Sequence, residues 1–279
     1  MATATQAKRK ATHPLMPYHI VLTATVALLM LGLVIVTSAS SVYSYQRTGS
    51  SYSIALKQAL FGAIGCLGMW YAASTRPATI RRLAAPYFVG CIAALGEVLF
   101  IGTSINGQRN WIQIIGPFNL QPSEFTKLGV ILWGAHVLAG KYHLLEQRYH
   151  LLVPLVPAFG AVLALVLAEG DLGTAMVIAP VMASMLFFVG APGKWFAGGA
   201  AVAVAGIAVL TWRAPYRMGR FVSWLNPEAD PEGIGYQATH GLLALGSGGI
   251  NGRGLGASRE KWGTLPEAHT DFIFAVLGE

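Results

Sequence analysis

Charged residues are scarce in this chain, and those that break its apolar runs gather in four places. The densest is Gln121-Pro122-Ser123-Glu124-Phe125-Thr126-Lys127. Glu124 and Lys127 are three residues apart, so on a helix they share one face. Such a pair either ties a helix end together or stands as a charged pair at the mouth of an outward cavity. Just upstream, Asn106-Gly107-Gln108-Arg109-Asn110-Trp111 sets a cation beside an aromatic of the kind that anchors at a membrane interface. The second place is Glu169-Gly170-Asp171-Leu172-Gly173-Thr174, between two uncharged runs, where a helical hairpin turn needs polar and glycine residues in any case. In the third, Arg213, Arg217 and Arg220 recur near helical spacing beside Trp212, Phe221 and Trp224. That pattern reads as an interfacial amphipathic helix or as a seat for anionic phosphates, to which planar arginine donors are suited. The fourth is Leu265-Pro266-Glu267-Ala268-His269-Thr270-Asp271-Phe272-Ile273-Phe274-Ala275. There Asp271 sits where water meets an apolar run, a position in which partial burial and a nearby cation tune a carboxylate. Glu97, alone within an apolar run, carries no assignment. Nine glycines fall within 233–256, but they match neither the Walker phosphate loop nor a dinucleotide fingerprint, so as a phosphate motif they are weak.

The elements that hold these groups follow from composition. The 279 residues are 54% hydrophobic and 11% charged, against about 25% charged in a soluble domain, so lipid is the expected solvent. Nineteen Lys and Arg against 12 Asp and Glu give a net charge of +7. The basic residues lie in short gaps between apolar runs rather than on one face, which excludes nucleic acid as a partner and matches the positive-inside pattern. Cys66 and Cys91 sit in different apolar runs, without metal-ligand spacing, and read as small packing residues.

A bilayer core needs about 20 apolar residues of helix, and seven runs qualify: 20–39, 54–73, 83–102, 120–140, 151–168, 172–190 and 195–212. Each must be helical, because lipid offers backbone groups no partner. The first run is too long for a cleaved signal peptide and reads as a span that stays. With a cytoplasmic N-terminus, the inner segments hold Lys8, Arg9, Lys10, Arg76, Arg81, Arg82, Lys141, Arg148 and Lys194, and the outer short loops little beyond Arg47, Arg109 and a snorkelling Lys57. The expected fold is therefore an all-α polytopic membrane protein. A cytoplasmic tail, 1–19, precedes a seven-span bundle, 20–212. A large extracytoplasmic loop, 213–270, follows, and 271–279 begins an eighth span that the sequence does not complete, as in a C-terminally truncated chain.

Four blocks, NGQRNWIQIIGPFNLQPSEFTKL, EGDLGTAM, GYQATHGLLALGSGGINGRGLG and LPEAHTDFIFAVLGE, resemble in order and spacing the SEDS family (shape, elongation, division and sporulation). SASSVYSY and the last block look most like its division branch. The resemblance covers most of the chain from residue 20 and implies a peptidoglycan glycosyltransferase of about ten spans. Its substrate would be lipid II, a disaccharide-pentapeptide on undecaprenyl pyrophosphate. The alternatives are a lipid II flippase, which would need a water path to both faces, and a division scaffold. The family's catalytic carboxylate falls on Asp271, its fourth-span pair on Glu124 and Lys127, and its external arginine on Arg109. Asp171 carries over as well, whereas Glu169 does not, because the family commonly has a Gln-Pro-Asp type sequence there. Arg217, Arg220, His269 and Thr270 complete the expected substrate contacts. A hydroxyl nucleophile needs a base, which Asp271 would supply, and the cations would offset charge on the leaving pyrophosphate. A divalent cation, Mg or Mn, with Asp271 as a ligand, is a further expectation. So are a class B penicillin-binding transpeptidase and other divisome proteins as partners, in the bacterial plasma membrane at the division septum.

Overall fold

Proline marks where several of the helices begin. Pro17, Pro77 and Pro122 each stand in a first helical turn, where the missing N–H costs nothing and the fixed φ suits the helix. The computed structural model describes residues 15–105, 108–115, 118–141, 153–212, 219, 226, 230, 232–233, 235–254 and 256–279. Its helices are α1 Met16–Thr48, α2 Ser53–Ser74, α3 Pro77–Ile101, α4 Pro122–Gly140, α5 Leu155–Ala168, α6 Leu172–Phe188, α7 Gly193–Trp212, α8 Tyr236–Gly248 and α9 Ile273–Gly278. Strands β1 Thr103–Ile105, β2 Gln108–Ile115 and β3 Phe118–Leu120 form an antiparallel sheet in the order β1-β2-β3. Thr103 pairs with Trp111, and Ile112 with Leu120. Among the described residues, α1, α2 and α3 are long and apolar enough to cross a membrane, and Leu155–Ala168, Leu172–Phe188 and Gly193–Val209 are shorter apolar helices.

Three differences from the sequence reading have physical causes. The first span runs past residue 39 to Thr48 and stops at Gly49, whose φ of 73° lets its N–H reach the Tyr45 carbonyl. At about 1.5 Å per residue, α1 is then about 50 Å long and outruns a bilayer core of about 30 Å. SASSVYSY is accordingly helical, with Ala39, Ser40 and Ser44 buried and Tyr43 and Tyr45 exposed. The segment 103–120 is a β-meander rather than a plain connection, so the architecture is mostly helical instead of all-α. The glycine-rich stretch begins with a 13-residue helix, α8, and becomes irregular only where Gly249, Gly252, Gly254 and Gly256 take positive φ.

The chain divides into two compact units, residues 73–208 and residues 1–72 with 209–279. The first has its core between α3, α4, α5 and α6, built on Phe88, Leu95, Val130, Phe159, Val162, Val166 and Ile178. Phe88 stacks on Trp133 at 4.4 Å, and Trp133 meets Phe159 edge-on at 6.3 Å. The free thiol of Cys91 is buried here as packing. The second unit joins α1, α8 and α9 around Ala39, Ala244, Leu265, Ala268, Ala275 and Val276.

The small core of the second unit depends on backbones lying almost in contact. A Cβ on Gly248 would run into the Gly278 carbonyl and come within 2.7 Å of the Glu279 Cα. Main chain cannot swing aside as a side chain can. Gly248→Ala should therefore cost about 1–3 kcal/mol, the usual penalty of overpacking, read as a lower midpoint in thermal unfolding. Gly246→Ala, on the same helix with nothing within 4 Å, should leave the midpoint unchanged or raise it.

Candidate functional site

In the unit of residues 73–208, Asp171 organises the polar groups. It N-caps α6, accepting the Thr174 N–H at 2.9 Å on Oδ1 and the Thr174 hydroxyl at 2.7 Å on Oδ2. Oδ2 also accepts the amides of Asn110 and Gln121, each at 2.9 Å. One buried carboxylate thus joins the start of α6, strand β2 and the start of α4 through a helix cap and two amide bonds. The sequence reading placed Asp171 among substrate contacts; the structure gives it an inward position with both oxygens engaged.

Glu169, two residues earlier, is also buried, and neither of its oxygens has a hydrogen-bond partner among the described residues. Its backbone carbonyl accepts the Arg109 N–H at 3.0 Å, which binds β2 to the turn between α5 and α6. Loss of hydration, and then the negative charge of Asp171, push the Glu169 carboxyl up to about 7. Arg109 itself is exposed and donates to the Leu99 carbonyl at 3.1 Å. Glu124 and Lys127 form the expected i,i+3 ion pair at 2.8 Å, with 55% and 29% of their side chains exposed. A pair so open to solvent adds at most about 1 kcal/mol.

In the other unit, LPEAHTDF forms a tight turn that leads into α9. Glu267 has φ 54°, an uncommon conformation for a residue with a side chain. Its carbonyl accepts the N–H groups of Thr270 and Phe272, both at 3.1 Å, and its carboxylate accepts the Thr270 hydroxyl at 2.7 Å. Thr270 thus serves the turn. His269 stacks on Tyr43 of α1, centroids 4.4 Å apart at 25°. Asp271 is exposed, and among the described residues it makes no ion pair and no side-chain hydrogen bond. The turn thus holds this carboxylate out to solvent without engaging it. Arg217 and Arg220 lie outside the described residues.

Two residues that shape this unit escaped the sequence reading. Glu267 gave no signal, since only its backbone angle distinguishes it. Glu279 is buried, and Oε2 accepts the Ser258 hydroxyl at 2.7 Å and the N–H groups of Arg259 and Glu260 at 3.0 and 3.2 Å. Its Oε1 accepts the Ser247 hydroxyl at 3.2 Å and faces Arg253 at 3.8 Å. This carboxylate draws the glycine-rich segment onto the end of α9.

Glu169 makes stability depend on pH. A carboxyl whose folded pKa lies above its ordinary 4.5 binds its proton more tightly when folded, so its contribution is complete below pH 4.5 and is lost as pH rises through about 7. The loss is roughly 3 kcal/mol, from 1.36 kcal/mol per pKa unit. Glu169→Gln should raise the thermal midpoint at pH 8 and leave it nearly unchanged at pH 4.5. Equal effects at both pH values would show that the carboxyl is not held protonated.

Comparison with known proteins gives the same direction. Residues 19–279 match the cell cycle protein family of FtsW, RodA and SpoVE. The chain is 40% identical over 268 residues to the probable peptidoglycan glycosyltransferase FtsW of Mycobacterium tuberculosis, covering 95% of this chain and 51% of that protein. It is 37% identical over 257 residues to stage V sporulation protein E of Bacillus subtilis, covering 91% and 70%. The chain therefore spans about half the length of its mycobacterial relative. Among solved structures, one described as structural coordination of polymerization and crosslinking by a peptidoglycan synthase complex matches with a TM-score of 0.62 at 24% identity, covering 90% of this chain and 69% of that one. The rod shape determining protein RodA of Thermus thermophilus matches with a TM-score of 0.53 at 20% identity, covering 92% and 93%. At these identities the two structures speak for the fold. The family model spans nearly the whole chain, and with it the turn that presents Asp271, so this chain belongs to the FtsW/RodA/SpoVE family of cell cycle proteins.

Proposed function

We propose that this chain carries the catalytic part of a peptidoglycan glycosyltransferase that polymerises lipid II into glycan strands, in the division branch of its family. The observation that carries the proposal is Asp271, an exposed carboxylate without a partner among the described residues, on a turn held by the left-handed Glu267. Backbone strain of this kind persists only where surrounding bonds enforce it, and it concentrates at working sites. Support also comes from relatives named probable peptidoglycan glycosyltransferase FtsW at 36–40% identity.

In the proposed reaction the 4-hydroxyl of one GlcNAc attacks the MurNAc anomeric carbon of the growing chain. The hydroxyl proton passes to the Asp271 carboxylate, the new glycosidic bond forms with inversion, and the bond to undecaprenyl pyrophosphate breaks with its electron pair on the phosphate. An unpaired carboxylate in water-facing position suits the base. By family resemblance, Arg109 and Lys127 are assigned to phosphate. Magnesium is held through one or two carboxylates together with substrate phosphates rather than by a protein cage. A single free Asp271 therefore fits Mg or Mn, although among the described residues no three His, Cys, Asp or Glu gather as a ligand cluster. Bound there, the ion would supply neutralising charge for the pyrophosphate.

The membrane arrangement belongs to the same proposal: seven spans and the start of an eighth, a cytoplasmic N-terminus, and the region from 213 to 270 outside. So do the septal location, a class B penicillin-binding transpeptidase partner and other divisome proteins.

The test is polymerisation of lipid II by the purified full-length protein with its transpeptidase. Asp271→Asn should lower turnover by at least about 100-fold, the lower range of general-base contributions, without shifting the thermal midpoint. Retained polymerisation would remove Asp271 from catalysis. If wild type made no glycan but moved lipid II across vesicle membranes, the transporter alternative would replace the enzyme. Lys127→Ala, which removes a pair of little structural worth, should keep the fold and reduce turnover; an unchanged rate would make that pair purely structural.

A further inference from the structure

A base needs a fixed place as well as exposure, and the bonds of the turn before α9 supply only part of that for Asp271. The Glu267 carbonyl accepts the Thr270 and Phe272 N–H groups, and its carboxylate accepts the Thr270 hydroxyl. These bonds run within the turn, so they set its shape and not its place against the helices. Place comes from docking. Leu265 and Ala268 are buried in one core with Ala39 of α1 and Ala244 of α8. Apolar contacts of this kind are non-directional, so they press the turn against α1 without orienting it.

One helical turn along α1 from Ala39, Tyr43 lies on the same face and stacks on His269, centroids 4.4 Å apart at 25°. Arg47, a further turn on, brings its guanidinium carbon to 5.1 Å from the centroid of the same ring. That cation–π contact steadies the ring. Aromatic pairs hold a preferred offset and tilt, so the stack has the direction that the alanine contacts lack. Tyr43 is 37% exposed and His269 is half-buried, so neither ring serves to fill the core. Among the described residues the Tyr43 hydroxyl makes no hydrogen bond; what α1 offers the turn here is a ring face.

We infer that Tyr43 is a positioning residue for Asp271: through its stack on His269, two residues away, α1 fixes where the turn holds the carboxylate. The inference rests on the glycosyltransferase reading for the reaction concerned, and adds to it a residue on a different element from the proposed base. The neighbour on the other side, Phe272, is held separately. It lies so close to Gly241 of α8 that a Cβ there would stand 2.9 Å from its ring. The segment that bears Asp271 is thus gripped from two helices, and the grip from α1 is aromatic.

The test is lipid II polymerisation by the full-length protein with its transpeptidase, with rates taken per folded molecule. Tyr43→Leu keeps apolar bulk without a ring. It should lower kcat about tenfold and leave KM unchanged, since about 1 Å of misplacement costs up to about 100-fold. Tyr43→Phe keeps the ring and should retain the wild-type kcat. His269→Ala should lower kcat as well, and adding Tyr43→Leu to it should lower kcat no further, because both act through one contact. A second readout needs no catalysis. With Cys66→Ala and Cys91→Ala as background, a nitroxide attached to Asp271→Cys should show restricted motion that Tyr43→Leu releases and Tyr43→Phe preserves. Multiplied losses in the double variant, a kcat loss in Tyr43→Phe equal to that in Tyr43→Leu, or a label whose motion ignores Tyr43 would each overturn the inference. Wild-type kcat in Tyr43→Leu would sink it too and leave the enzyme reading intact. A wild type that makes no glycan, with a label still freed by Tyr43→Leu, would do the reverse.

Discussion

A chain this poor in charge has few buried charged groups, and lipid offers them no partner, so those that stay ionised depend on hydrogen bonds from within the protein. That constraint explains the work given to two carboxylates. Asp171 gathers a helix start, a strand amide and a second helix start on four hydrogen bonds. Glu279 gathers the glycine-rich segment onto the end of α9. Each lies in its own unit, and each replaces several separate caps with one charged acceptor, roughly twice as strong per bond as a neutral one.

Against this background the exposed charges stand apart. Asp271 is presented by a turn whose bonds are all made by its neighbours: Glu267 accepts from Thr270 and Phe272, and His269 leans on Tyr43. These bonds hold the turn without the Asp271 side chain, which stays exposed and makes no ion pair among the described residues. Arg47 is in the same position, held by ring stacking and answered by no carboxylate among the described residues. A structural role consumes a charge; these two residues retain theirs.

How much of this could be read beforehand varied with the physics. The helices from α2 to α7 were legible to within about six residues at their ends, α3 starting at Pro77 rather than 83, since an apolar run of span length must be helical in lipid. The pairing of Glu124 with Lys127 followed from helical spacing and is present at 2.8 Å. The β-meander was not legible: NGQRNWIQII reads as a polar connection, and its strands are fixed by the Asn110–Asp171 and Arg109–Glu169 bonds, across 61 residues for the first of these. Helix α8 was hidden by its glycines, Gly241, Gly246 and Gly248, which weaken local helix propensity. Two of them are there for contact, Gly241 against Phe272 and Gly248 against Gly278. Tertiary packing overrode the local signal at both.

Glu169 shows how a departure from a family pattern can keep the same physics. By resemblance that position commonly holds glutamine, a neutral side chain of the same length. A charged carboxylate buried beside Asp171 is costly, and loss of water and the neighbouring anion push it up to about 7. Protonated, it has the shape of glutamine and carries no second charge into the turn between α5 and α6. What changes is that neutrality, fixed by chemistry in glutamine, is set here by pH.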